Sequence, residues 1–387
     1  MKKNKAFTLV ELLVVVVIIG ILAVIITAAV AGALRSAKQA RIGIELSQIA
    51  TAIELYKNEF GEYPPDMFDD TALVRHVKKR WPRFELPPKP ASASTISEVV
   101  WQSDCIRRAI TRVYLNKGVG AYPDSLWQQW GVQQIDVSPS TLRYTNLTNL
   151  ALWLGGVVQP DGKMAGFGAD PEAPFGRMGN GSGTPNNGDE AVSPTDVGLG
   201  TPDRKAFLDL EVGKNIALPS HNNEKTFPCL ISRLNSDKVV PIIYFCGQSS
   251  GGPSAYFGDH ARQSTINDSL DSYNFSPEYS VSRVNSFSYW GEMGTAAAYA
   301  DKGSLVPGRD SGGQWEKGQL LNGKWFGAET YQLIHPGLDG KFGKKIEGAN
   351  LTTVGDVYFR SLENLSQEDF DNITNFSDFK TIKSIMP

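Results

Sequence analysis

From Leu12 to Leu34 the chain carries no charged residue, and nearly every position is Leu, Ile, Val, Ala or Gly. At about 1.5 Å per residue, twenty-odd helical residues cover roughly the 30 Å hydrocarbon core of a bilayer. Beyond Arg35 the pattern changes. Ile42, Leu46, Ile49, Ile53, Tyr56 and Phe60 recur at three- and four-residue spacing, with Arg41, Glu45, Gln48, Glu54 and Lys57 on the other faces. That is the single apolar stripe of an amphipathic helix. Gly61 is a natural stop, and Tyr63-Pro64-Pro65-Asp66 forbids continuation. The pattern predicts one helix of about fifty residues, its first half fit for a membrane and its second half packed on a globular head.

The rest of the chain is less periodic. Residues 66 to 135 read as short helices joined by Pro-rich turns, with Thr71 to Arg80 and Ser97 to Leu115 the better candidates. Gly155 to Pro202 is dense in Gly, Pro, Asn and Asp and reads as a long loop region. From Lys205 short apolar runs take over: Ala206 to Leu210, Thr226 to Ile231, Val239 to Cys246, Phe287 to Trp290 and Thr330 to Ile334. Strand-then-turn order predicts an antiparallel sheet against which the long helix lies, an α+β class. The expected divisions are 1–6 leader, 7–34 membrane half of the helix, 35–61 amphipathic half, 62–204 helical and loop-rich insert, and 205–387 β-rich head.

The beginning of the chain adds chemistry. Three lysines, Lys2, Lys3 and Lys5, precede the apolar stretch, and Glu11 interrupts it near its start. An ordinary secretory signal has a shorter apolar region with a small-residue cleavage site after it. Here the plausible processing point, Ala6-Phe7, lies before the apolar region, so cleavage leaves the hydrophobic helix on the mature protein. The lysines fit a cytoplasmic N-terminus, with everything after Arg35 exported. A carboxylate inside an apolar helix costs a few kcal/mol even by the mildest insertion scales, so Glu11 calls for a partner. A plain single-pass anchor with Glu11 at the membrane surface is the bland alternative.

Ala6-Phe7-Thr8-Leu9-Val10-Glu11-Leu12-Leu13 resembles the class III signal of type IV prepilins and type II secretion pseudopilins. The resemblance is specific over residues 5 to 35 and thins between about 66 and 330. It departs from the family at Ala6, where Gly is usual. It implies removal of the leader by a membrane prepilin peptidase and N-methylation of Phe7. It further implies a staggered helical filament of this chain and other pilin-like subunits, in which the new Phe7 amine of one copy neutralises Glu11 of its neighbour. Such a filament grows from an inner-membrane platform driven by a separate ATPase, as a cell-surface pilus or a periplasmic pseudopilus.

A second resemblance covers Tyr331 to Gly343, similar to the strand and Gly-Asp-Gly turn of major-pseudopilin-like proteins. The related proteins carry a calcium-stabilised loop in this region, which makes Asp339 the candidate calcium ligand. Hard cations take carboxylate and carbonyl oxygens, and Gly-rich turns let carbonyls converge. Lys344 and Lys345 follow where further acids would help, so a plain β-turn is the preferred reading. Asp161, Asp170 and Asn186 to Glu190 are looser oxygen-rich alternatives.

Charge and cysteine content narrow the classes. The formal net charge is −3, and losing the three leader lysines makes it about −6, so no nucleic-acid footprint is expected. Cys105, Cys229 and Cys246 lack metal-cluster spacing. A hairpin centred near Asp237 places Cys229 and Cys246 roughly opposite each other, where a cross-strand disulfide forms in an oxidising compartment. Two buried thiols are the alternative, and Cys105 is left over.

An enzyme reading rests on Gly247-Gln248-Ser249-Ser250-Gly251, which fits the nucleophile-elbow pattern, with Asp259 and His260 nearby. The elbow needs a helix directly after the serine, and Gly251-Gly252-Pro253 breaks one. His76, His221, His260 and His335 show no metal-ligand spacing, and a phosphate-binding loop is missing. The expectation is a non-enzyme. Trp127, Trp130, Trp153, Trp290, Trp315 and Trp325 lie in Gly-rich or polar contexts. If exposed, they suit a membrane-anchored surface protein that grips carbohydrate or another protein; core packing is the competing reading.

Overall fold

The computed structural model describes residues 9–65, 69–86, 148–156, 206–217, 228–234, 238–247, 296–309, 315–343 and 360–386, with isolated shorter pieces between them. The first element, α1, is a single helix, Leu9–Phe60, of 52 residues. It ends where Gly61 takes a positive φ of 75°, a conformation glycine adopts without steric cost. The long helix expected from the stripe, its length and its stop are all present.

The head grips only the last third of α1. Ile42, Leu46, Ile49, Ile53 and Tyr56 are buried, whereas every described side chain from Leu9 to Lys38 is exposed. Facing the stripe is a three-stranded antiparallel sheet whose central strand, Tyr331–His335, pairs with Ile243–Cys246 on one side and Ile373–Thr374 on the other. Side chains alternate across a strand. Tyr244, Cys246, Tyr331 and Leu333 therefore face α1, and Ile243, Phe245 and Ile334 face a second core with Tyr299, Trp325 and Phe342. A second three-stranded sheet orders Ile216–Ala217, Cys229–Arg233 and Val239–Pro241. The class is α+β, a long N-terminal helix and a head of antiparallel sheets, with a short parallel pair between Tyr299–Ala300 and Arg360–Ser361.

The shorter helices complete the first core. The second helix, α2, spans Asp70–Arg80, and Asp69 caps it by accepting the amides of Thr71 and Ala72. A third, α3, spans Asn149–Gly155. Leu73, Val77, Trp153 and Leu154 share one apolar cluster with α1 and with Leu230, Ile242 and Leu333, so residues on both sides of position 204 build a common core. The described residues of 98–110 are helical where assigned, as expected for that segment.

Two strand expectations change. The run Val239 to Cys246 is not one strand: its first three residues pair with Cys229–Arg233, and the chain then crosses at Ile242 to pair with Tyr331–His335. The run Ala206 to Leu210 is irregular rather than extended, its Phe207 amide donating to the Leu154 carbonyl while the ring packs on Tyr56 and Phe60. The expected strand Phe287 to Trp290 lies outside the described residues.

Candidate functional site

In the apolar half of α1 every described side chain is exposed. Glu11 lies in its first turn, and Leu12 to Leu34 follow with no charge. The helix is long and apolar enough to cross a membrane, and the head buries none of its most apolar stretch. Ala6 and Phe7, the expected cleavage and methylation positions, lie outside the described residues. What can be placed is the continuity from Leu9 into the head: one unbroken helix carries both the apolar surface and the stripe that seats the globular part.

Residues 1–27 carry the prokaryotic N-terminal methylation motif. That motif is characteristic of type IV pilins and pseudopilins, precursors that a prepilin peptidase processes. No curated protein and no solved structure matches the chain. The methylation motif thus covers the basic N-terminal residues and most of the apolar half of α1, and stops short of the head.

Where α1 enters the head, the C-terminal tail holds it. A β-carbon at Gly43 would lie 2.8 Å from the Phe379 carbonyl oxygen, so the tail backbone runs against the helix where only glycine leaves room. Asp378 and Phe379 pay for this path with positive φ values of 52° and 58°, uncommon for residues with side chains. Two residues further on, Glu45 accepts a 2.6 Å hydrogen bond from the Ser232 hydroxyl, and burial raises its pKa.

The other end of α1 is fixed by a buried polar chain that the sequence did not announce. The Tyr56 hydroxyl is 2.5 Å from His76 Nε2 and accepts from Arg80 at 2.9 Å, while His76 Nδ1 is 2.8 Å from Glu62. Burial depresses the His76 pKa despite Glu62, which keeps the ring neutral. The roles then follow: Tyr56 donates to Nε2, and Nδ1–H donates to the Glu62 carboxylate. Burial likewise holds the Tyr56 hydroxyl well above the usual tyrosine value. The Arg80 guanidinium lies 4.1 Å from the Phe60 ring centroid, 4.4 Å from Trp81 and 4.6 Å from Phe167, cation–π distances for a charge taken out of water. The Tyr244 hydroxyl, donating to the Pro64 carbonyl at 2.8 Å, ties the sheet to the same corner.

The turn at Asp339 is the candidate cation site, with a plain β-turn the preferred reading. Its carboxylate accepts from the Lys341 amide at 2.7 Å, and its carbonyl is taken by the Lys238 ammonium. Asp371 Oδ2 accepts the amides of Leu338 and Asp339, at 2.8 and 3.1 Å, and Asn372 donates to the Phe342 carbonyl at 2.8 Å. Burial raises the Asp339 pKa to about 6, with the neighbouring Asp371 charge adding to it. Among the described residues no three His, Cys, Asp or Glu side chains are gathered for a metal. A lysine already fills the place of the cation, so the residues present do not fit calcium. Asp161, Asp170 and 186–190 lie outside the described residues.

The disulfide is corrected. Cys105, Cys229 and Cys246 are all buried, and none of them is in a disulfide. Ile231 pairs with Pro241, so Cys229 sits across from Ala217 on its other edge, while Cys246 has crossed to pair with Tyr331. The two cysteines belong to different sheets and different cores.

The remaining candidates divide. Trp153 and Trp325 are buried in the core, which removes them as exposed grips; Trp127, Trp130 and Trp290 lie outside the described residues, as does the side chain of Trp315. Ser249, Asp259 and His260 also lie outside them. His335 is fully buried on the central strand with neither ring nitrogen hydrogen-bonded, and burial alone pushes its pKa down to about 3.

Proposed function

We propose that this chain is a structural, non-enzymatic subunit of a type IV pilus-like or type II secretion pseudopilus filament. The observation that carries the reading is α1: an apolar surface from Leu9 to Leu34, untouched by the head and continuous with the methylation motif. In this reading the precursor sits in the inner membrane with its head exported. A prepilin peptidase cuts at Ala6-Phe7 and methylates Phe7. Subunits then leave the bilayer for a filament by packing their apolar helices together, with other pilin-like subunits on the same platform. Glu11 supplies the register: a buried carboxylate is costly unless paired, and the Phe7 amine of the neighbouring copy is a partner of the right charge. An assembly ATPase is a separate protein.

Intact mass and N-terminal sequencing of the protein from native membranes and shed filaments, beside Glu11→Ala, test this. A mature chain beginning at N-methyl-Phe7, with Glu11→Ala processed but absent from filaments, is the expected result. A chain still beginning at Met1 and confined to membranes overturns it and leaves α1 as an ordinary anchor.

A further inference from the structure

The charges around the point where α1 leaves the head are not distributed as in the rest of the chain. After Glu11 the next charged residues are Arg35, Lys38 and Arg41, all basic and all exposed. The first acid beyond them, Glu45, is turned to Ser232 and kept partly out of solvent. The head first covers α1 at Ile42 and Gly43, where the Phe379 carbonyl rests, and the exposed Lys380 and Lys383 follow in the tail. Asp378 is the exposed acid in this tail segment. This concentration of cations sits in a chain whose formal net charge is −3.

Helix periodicity gives the cations a direction. Two turns separate Arg35 from Ile42, and three separate Lys38 from Ile49, so both lie on the side of α1 that carries the head. With Leu12 to Leu34 filling the hydrocarbon, Arg35 and Lys38 fall within a headgroup layer about 5–7 Å deep. Gly43 and the tail then stand about 12 Å beyond Arg35, at the outer surface of the bilayer. Arg35 and Lys38 therefore occupy the wedge between the underside of the head and the lipid phosphates, and the exposed Lys380 and Lys383 follow the Phe379 contact at Gly43 above them.

We propose that Arg35, Lys38, Arg41, Lys380 and Lys383 form a collar that binds anionic phospholipid headgroups in the exported leaflet and draws the head onto the bilayer. This rests on the reading that α1 spans the membrane. Long basic side chains reach an interface while their stems stay on apolar surface. The guanidinium fork suits phosphate oxygens. Each Lys or Arg held near an anionic surface shifts partition by about fivefold. Phospholipid is the occupant because its phosphates lie at the height of Arg35 and Lys38, below the longer reach of Arg41 and the tail lysines, whenever the helix is inserted and before any second subunit arrives.

The full-length protein, reconstituted into phosphatidylcholine vesicles containing a small fraction of spin-labelled phosphatidylglycerol or spin-labelled phosphatidylcholine, tests the collar. The expected result is several-fold enrichment of phosphatidylglycerol beside the protein, weakening with salt. Replacing all five cations with glutamine brings the enrichment close to one, with near-ultraviolet circular dichroism unchanged. Equal enrichment in the two proteins, or none in either, overturns the proposal. Retained enrichment with lost filament assembly also overturns it and makes the cations a contact between subunits. Flotation with pure phosphatidylcholine vesicles reports on the membrane span separately. A protein that floats there without lipid preference loses the collar alone; one that does not float there loses the span, and with it the collar that rests on the span.

Discussion

The carbonyl oxygen of Phe379 lies 2.8 Å from where the β-carbon of any other residue would sit at Gly43. This contact sets two effects of opposite sign against each other. Alanine in a helix interior is favoured over glycine by about 1 kcal/mol. A methyl group driven into a backbone oxygen costs about 1–3 kcal/mol. Gly43→Ala is therefore expected to destabilise the protein in urea melts and to open the tail to protease. A gain in stability would mean that the tail does not rest on α1.

Tyr56→Phe removes one hydroxyl and deprives both His76 Nε2 and Arg80 of a partner. Leaving buried polar groups unsatisfied costs about 1–3 kcal/mol. The loss should appear as a lower urea midpoint, and it should shrink in a His76→Phe background. Equal losses in both backgrounds would show that the ring, not the hydrogen bond, matters at this corner.

His335 makes stability depend on pH. Its folded pKa, about 3, lies below the ordinary value of 6.5, so the unfolded chain binds the proton more readily. Stability from the neutral ring is full above pH 6.5 and is lost progressively as pH falls from there towards 3. At pH 5 the loss is about 2 kcal/mol. His335→Leu should flatten the stability profile between pH 7 and 5, and an unchanged slope would assign the acid sensitivity to the carboxylates.

Calcium and reductant should each leave the melting temperature alone. The turn is closed by Lys238 and Asp371, and none of the three cysteines is in a disulfide. Chelator added to the purified protein is expected to shift nothing, whereas Asp371→Ala, which strips two amides of their acceptor, should cost about 1–3 kcal/mol. A fall in melting temperature with chelator, reversed by calcium, would return the metal to this turn.

The sequence was most legible where one period ran for many residues. Ile42 to Phe60 repeat so regularly that α1, its seat and its end at Gly61 follow from spacing alone. Short apolar runs were less informative. Val239 to Cys246 reads as one strand because nothing in eight apolar residues marks the change of partner at Ile242, and that change separates Cys229 from Cys246. Ala206 to Leu210 has strand composition, yet Phe207 is claimed by Tyr56 and Phe60. The Glu62–His76–Tyr56–Arg80 chain was invisible for another reason. It joins residues on opposite sides of a Pro-rich turn, and its histidine had no spacing to recommend it. The methylation motif, being a local string, could be read directly; the shape of the head required contacts far apart in the chain.

The 52-residue α1 is also a mechanical part. At about 1.5 Å per residue it is a rod roughly 80 Å long, and the head clasps only its final turns. A pull along the rod loads Ile42, Leu46, Ile49, Ile53 and Tyr56 together, as shear along a seam, with the Phe379 contact at Gly43 sharing the strain. A sideways pull at the free end instead acts through the long arm below Ile42 and peels the seam one turn at a time. The protein is thus built to bear tension along its axis far better than bending across it.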